Sequence, residues 1–396
     1  MIFGKRKHVY DWHGVLCNFL KSNIMDSKKH KHRKLRSGFT TGTAAAAAAK
    51  GALIRLLEKR SPRCVMVNLL NGETWRIPVK AVCEKSRFEA ECRVVKDAGD
   101  DPDVTNGAVI GARVVLLKRD WVFEVQIVGG EGVGKVTKPG LEVLPGEPAI
   151  NSGPRKMIEE SVRQVLERNQ KNASVRVEIF VPEGERLAKK TLNARLGILG
   201  GISILGTTGV VRPMSHEAYT ATIFSALSVA NAAGIKKVVL STGRRSERCA
   251  QAFLPDMALE GFVQIGDFFS QSLKMAVEFG FENVFLAVFF GKAVKMAQGA
   301  ECTHAAKTRL SLQSLAAWAL ERGCDKVLAE RLEMANTARE AFDYVRSDFP
   351  LLINDVGERL VQSAMRFSLY QIHVDAVIFD YKEKMVWDSR KGMKTL

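Results

Sequence analysis

Three short apolar runs, "KVVLST" (237–242), "FVQI" (262–265) and "NVFLAVFF" (283–290), are each followed by a glycine and then by a helix-period segment. No other feature restricts the fold as strongly. Successive strands joined through helices run parallel, and the helices cover both faces of their sheet. A helix from Ser215 to Ala233 precedes the series, and others start at Ser246, at Asp267 (to Phe279) and after Gly291. The later chain, Thr308 to Tyr370, is mainly helical, and "VDAVIFDY" with "KMVWD" forms a closing hairpin. The region 196–396 therefore reads as an α/β domain with a Rossmann-like, doubly wound sheet and a helical C-terminal part.

The first half follows another rule. After "SGFTTGT", with Thr40, Thr41 and Thr43 as candidate caps, six alanines (44–49) lead a strong helix ending near Lys59 and Arg60. Period-two segments then dominate: "CVMVNLL", "TWRIPVKAV", "FEAECRVVK", "ARVVLL", "WVFEVQIV" and "SVRVEIFV", with a helix from Pro154 to about Arg168 before the last. Residues 35–195 thus form an α+β domain with a mostly antiparallel sheet, and residues 1–34 a basic, disordered extension.

The formal charge is +16, yet ten Lys or Arg against Asp11 and Asp26 in the first 38 residues account for half of it. The rest is spread without an aromatic-interleaved basic stripe, which suits an acidic small molecule and argues against nucleic acid. Seven scattered cysteines, never in C-x-x-C spacing, argue against a disulfide framework or a zinc site and for a reducing cytoplasm. The apolar runs are too short to cross a bilayer. "GVLCNFL" near the start lacks the pattern of a secretory leader, and Met25 is a candidate start.

In open α/β sheets the ligand lies beyond the carboxyl ends of the strands, here "STGRRSE", "GDFF" and "GKAVK". Asp267 stands 24 residues after Gly243, about the distance at which dinucleotide folds hold ribose hydroxyls. Two readings stand for it: a ribose ligand, or the N-cap of its helix. "GGEGVG" (129–134) matches no nucleotide fingerprint, and "LGILGGISILGTTG" (196–209) is either a surface that lets a flat ligand approach closely or a domain linker. His304 is a candidate ligand or a structural histidine, and Cys249 and Cys302 read as inert thiols.

The segment "KDAGDDPDVTNGA" (96–108) sets Asp97, Asp100, Asp101 and Asp103 around Gly99 and Pro102. It admits a hydrated metal site, an acid/base site or a self-capped turn; the calcium-loop pattern is missing, so no metal ligands are assigned. The expected outcome is mixed, with one or two carboxylates capping the turn and one facing a ligand.

"RSGFTTGTAAAAAAKGAL", "KDAGDDPDVTNGAVI", "GGEGVGKVTKPGLEVLPGEPAIN", "LGILGGISILGTTGVVRPMS" and "STGRRSE" together resemble the CbiD family, in that order and from about Leu35 onward. The resemblance implies transfer of a methyl group from S-adenosylmethionine to C1 of cobalt-precorrin-5B, giving cobalt-precorrin-6A in anaerobic cobalamin biosynthesis, with cobalt present only in the tetrapyrrole substrate. It departs from the family pattern at Ala44, where members commonly have Cys, at Ser152 and Gly153, and at Arg212 and His216. On this reading Thr242, Gly243, Arg244 and Asp267 hold the donor, and Asp100 or Asp101 orients the acceptor ring or takes its proton. Thr40, Thr41, Lys135, Lys138, Arg155, Thr207, Thr208 and His304 meet the macrocycle. A homo-oligomer and transient contact with neighbouring pathway enzymes are expected. The competing reading is a non-catalytic carrier of the labile intermediate; a phosphate-binding enzyme built on "STGRRSE" is weaker, since no P-loop lysine accompanies it.

Overall fold

The computed structural model describes residues 35–117, 124–304 and 312–393. The proposed N-terminal extension, Trp121–Phe123 of one expected strand and the segment directly after His304 lie outside them. The chain divides into two compact units between Ala218 and Tyr219.

In the first unit a two-residue strand β1 (Gly38–Phe39) leads into helix α1 (Thr41–Glu58). Thr40 caps it, its side chain accepting from the Thr43 N–H at 3.2 Å. The strands β2 (Cys64–Asn68) and β3 (Thr74–Pro78) pair as a hairpin. Then come β4 (Ala81–Ser86), β5 (Glu89–Val95), β6 (Val109–Leu116), β7 (Val125–Gly129) and the short β8 (Lys135–Val136). Helix α2 (Ser152–Arg168) and β9 (Val175–Phe180) follow. The main sheet has the order β4-β5-β6-β9-β7, antiparallel except for the β7–β9 pair. The run "TWRIPVKAV" breaks at Pro78 into two strands of different sheets, because proline cannot donate to a ladder.

α1 is wrapped on all sides: it packs on α2, β2, β4, β5 and β6, and Ala44 to Ala49 are fully buried. A helix apolar around its whole circumference belongs inside a core, and methyl-sized side chains let its neighbours approach closely. A Cβ at Gly51 would sit 2.6 Å from Cys92 Sγ, and one at Gly42 2.6 Å from the Pro154 ring. Lys50, on the same helix, is buried and donates to Met66 O at 2.7 Å and Gln164 Oε1 at 2.5 Å.

The glycine-rich stretch 196–209 belongs to this unit. Beyond the short helix α3 (Gly184–Ala188), strand β10 (Ile198–Leu199) pairs with β8, and β11 (Val210–Val211) pairs with β1. The N–H of Leu205 donates to Thr41 Oγ1 at 2.9 Å, and Thr43 Oγ1 donates to Gly209 O at 2.8 Å. Gly153 at the start of α2 leaves room for this loop, since a Cβ there would lie 2.9 Å from Gly206 O.

The second unit contains most of α4 (His216–Ala232), then β12 (Lys237–Ser241), α5 (Arg244–Phe253), β13 (Phe262–Gln264), α6 (Phe269–Glu278), β14 (Asn283–Phe289) and α7 (Phe290–Ala297). Four helices follow, α8 (Leu312–Glu321), α9 (Lys326–Met334), α10 (Ala338–Asp348) and α11 (Leu351–Phe367), then β15 (His373–Phe379), β16 (Met385–Asp388) and β17 (Gly392–Met393). One six-stranded sheet runs β13-β12-β14-β15-β16-β17, its first three pairings parallel and its last two antiparallel. On one face Val239, Phe285 and Val377 pack with Cys249 and Ala250 of α5. The opposite face carries Trp387, which lies against Gly357 of α11. No described helix is long and apolar enough to cross a membrane.

Candidate functional site

The parallel strands progress outward from β12 in both directions, to β13 on one side and to β14 on the other, so the sheet has a topological switch point between β12 and β14. Adjacent loops there diverge to opposite faces and leave a crevice at the carboxyl ends. Thr242 and Gly243 leave β12 at this point. A Cβ at Gly243 would meet nothing within 4 Å, so the space beside it is open. α5 starts there without a side-chain cap, two residues earlier than the sequence suggested, and Ser246 Oγ donates to Gly243 O at 3.0 Å. Arg244, its first residue, is exposed. Glu247 in that first turn is buried and accepts from Gln264 Nε2, at the end of β13, at 2.6 Å.

Asp267 is the hub of the neighbouring loop. Its capping role is overturned: α6 begins at Phe269 with Phe268 at the cap position and no side-chain cap bond. A nearby ammonium outcompetes a neutral N–H for a carboxylate. Lys292, in the first turn of α7, donates to Asp267 Oδ1, as does Thr303 Oγ1 at 2.7 Å. Lys292 Nζ also donates to Thr303 Oγ1 at 2.9 Å, and Lys295 Nζ to Thr303 O at 3.0 Å. Partial burial opposes the charge on Asp267, but Lys292 and Thr303, aided by His304, outweigh it and hold the carboxyl below its usual pKa. Burial, with Lys292 close by, pushes the Lys295 ammonium down. Asp267 Oδ2 has no hydrogen-bond partner among the described residues. Tyr219 closes the rim, its ring stacked on Phe268 at 5.3 Å and its hydroxyl over Gly266.

The other candidate residues gather in the first unit, and every aspartate of the acid-rich segment is engaged there. Asp97 takes the Arg36 guanidinium and the Gly99 N–H. Asp100 Oδ2 accepts from the Arg36 N–H at 2.6 Å, and Asp101 Oδ1 from the Met214 N–H at 2.9 Å. Asp103 accepts from Lys96 Nζ at 2.5 Å and from both donors of Thr105 at 2.7 Å. Asp100 and Asp101 each keep one carboxylate oxygen without a partner among the described residues.

Thr40 and Thr41 are buried, and their hydroxyls fix the helix start and the 203–206 loop. Lys135 is exposed on β8; Lys138 lies over Gly197, whose φ of +75° carries no side chain into it. Arg155 Nε donates to Ile150 O at 3.0 Å. Thr207 and Thr208 are exposed, and Thr208 Oγ1 accepts from the Val210 N–H at 3.2 Å. His304 is exposed in the other unit, beside Asp267.

Four of the five segments that carry the resemblance therefore meet in the first unit: the hydrogen bonds of Arg36, Thr41, Thr43 and Asp101 join three of them and the β8–β10 pairing adds "GGEGVGKVTKPGLEVLPGEPAIN", while "STGRRSE" lies in the second. Two family models match the chain, CbiD over residues 28–213 and the CbiD C-terminal domain over residues 302–390. A cobalt-precorrin-5B C(1)-methyltransferase of Pelobacter propionicus is 42% identical over 91% of this chain and 98% of its own length. The chain belongs to the CbiD family. The enzyme of the same name from Nitratidesulfovibrio vulgaris is 46% identical over 79% of this chain and 82% of its own. A crystal structure of the cobalamin biosynthesis protein (cbiD) from Archaeoglobus fulgidus is 31% identical and covers 67% of this chain and 81% of that one, with a TM-score of 0.37.

Within this CbiD chain, sequence reading missed Lys292, Thr303 and Tyr219. The signal for Lys292 was present, since "GKAVK" directly follows a strand and so places its lysine at a carboxyl end. Nothing in the sequence ties Thr303 or Tyr219 to that end, because their approach depends on tertiary packing.

Proposed function

We infer that the chain is a cobalt-precorrin-5B C(1)-methyltransferase of cobalamin biosynthesis, using S-adenosylmethionine as donor and forming cobalt-precorrin-6A. The carrying observation is the 42% identity over nearly the full length of a relative with that name. We read the second unit's sheet as Rossmann-like and doubly wound, on its parallel strand order and the helices on both faces.

The donor supplies, when bound, an electrophilic methyl group on a sulfonium centre. The residues at the switch point fit such a ligand: the space beside Gly243 is open, and Asp267 has an oxygen to spare for ribose hydroxyls. Thr242 and the first N–H groups of α5, from Arg244 on, face the same end. In-line methyl transfer needs chiefly alignment in a dry site, worth roughly 7 to 11 kcal/mol of barrier.

On the acceptor side, Lys135, Lys138 and Arg155 offer cationic donors to the carboxylates of the macrocycle, with Thr207 and Thr208 as hydroxyl contacts. Thr40 and Thr41 act from beneath, by fixing the loop that presents them. The free oxygen of Asp100 or Asp101 orients the acceptor ring or receives its proton.

Asp101→Asn is the test. Asparagine keeps the acceptor for the Met214 N–H, so folding is retained, and anaerobic turnover falls on the order of a hundredfold or more. An unchanged rate with intact folding removes Asp101 from the chemistry.

A further inference from the structure

We propose that Lys292 is a positioning residue for the methyl donor: by holding Asp267 Oδ1 it sets Oδ2 toward the ligand's vicinal hydroxyls. The inference rests on the donor-site reading above and adds a residue to it.

The geometry is a closed triangle. Lys292 Nζ meets both Asp267 Oδ1 and Thr303 Oγ1, and Thr303 Oγ1 meets the same Asp267 oxygen, so both contacts to the carboxylate fall on one oxygen. Thr303 is only 1% exposed, and its carbonyl is fixed in turn by Lys295 Nζ and its N–H by Asp267 O. A carboxylate so gripped cannot rotate to expose Oδ1. The remaining oxygen has no hydrogen-bond partner among the described residues, and Gly266, just before Asp267, has a φ of +56° and no Cβ, which lets the chain turn under the Tyr219 ring. Lys292 is itself part exposed, at 32%.

Its place in the fold matters as much. Lys292 enters from the end of β14 and Asp267 from the end of β13, which lie on either side of β12 in the sheet. The ion pair therefore spans the switch point and ties its two outer walls to the loop at Thr303. A half-exposed ion pair contributes little to global stability, so this one is expected to act on binding.

The experiment uses the full-length protein, with S-adenosylhomocysteine binding by calorimetry and donor kinetics under anaerobic conditions. Lys292→Met is expected to weaken binding at least tenfold and raise the donor KM to match, with kcat at saturating donor and KM for the corrinoid within about threefold of wild type. Lys292→Arg restores binding to within about threefold. In an Asp267→Asn background Lys292→Met adds nothing further, because its effect runs through that carboxylate. Circular dichroism confirms folding, and Lys292→Gln stands in, with the same thresholds, should the methionine variant fail to fold. Unchanged binding in Lys292→Met alongside weakened binding in Asp267→Asn overturns the proposal while sparing the donor site. Fully additive losses, or a fall in kcat at unchanged donor KM, also overturn it. Unchanged binding in Asp267→Asn instead removes the donor-site reading itself.

Discussion

Lys96 is 2% exposed at the head of the acid-rich segment, and Asp103 is what makes its burial tolerable. Burial disfavours the Asp103 charge, but Lys96 and the two Thr105 donors outweigh it and hold the carboxyl below its ordinary pKa. Asp103→Ala strands a buried ammonium and is expected to cost about 3 to 5 kcal/mol in urea unfolding. The sign of the pH dependence follows from the direction of the shift. With the folded pKa depressed, the contribution is complete above the unfolded value of 3.8 and is lost as pH falls through the folded one. The stability gap between wild type and Asp103→Asn should therefore close as acid is added through that range, and a constant gap counts against the ion pair. At this scale the sequence was partly legible. Four carboxylates around Gly99 and Pro102 signalled a fixed turn, and Gly99 does stand at φ +67°. Their partners Arg36 and Met214 lie far away along the chain, and no local pattern names them.

Elements were more readable than contacts. Periodicity located the strands and helices because hydrophobic spacing is a local property, and the rule for parallel connections then gave the direction of the second sheet's helix-linked strands, though not their order. The central burial of α1 was harder to see: six alanines declare helix propensity but give little amphipathic signal for what surrounds them. Gly51→Ala tests that burial. Helix propensity alone favours alanine by about 1 kcal/mol. The added Cβ would lie 2.6 Å from Cys92 Sγ, so a net destabilisation of about 1 to 2 kcal/mol is expected from the overpacking. A rise in melting temperature would show that the helix and β5 are less tightly apposed than described.

On the scale of the whole molecule, the two units divide the work proposed for them. Parallel-strand ends in the second unit present an open glycine, a fixed aspartate and a lysine that braces it, which suits a nucleoside-bearing donor. Loops of the first unit, tied together by Arg36, Thr41, Thr43, Asp101 and the β8–β10 pairing, present cations and hydroxyls suited to a polycarboxylate ring. Legibility ended where tertiary contact began: strand ends could be named from the sequence, whereas the triangle of Lys292, Asp267 and Thr303 joins positions that only the folded sheet brings together. The resemblance supplied the reaction, which no spacing of catalytic groups in this chain spells out. The most direct measurement incubates the purified chain anaerobically with cobalt-precorrin-5B and methyl-labelled S-adenosylmethionine. Label should appear at C1 of the product with one S-adenosylhomocysteine formed per methyl transferred; unmodified corrinoid, recovered with folded protein and intact donor, would contradict the account.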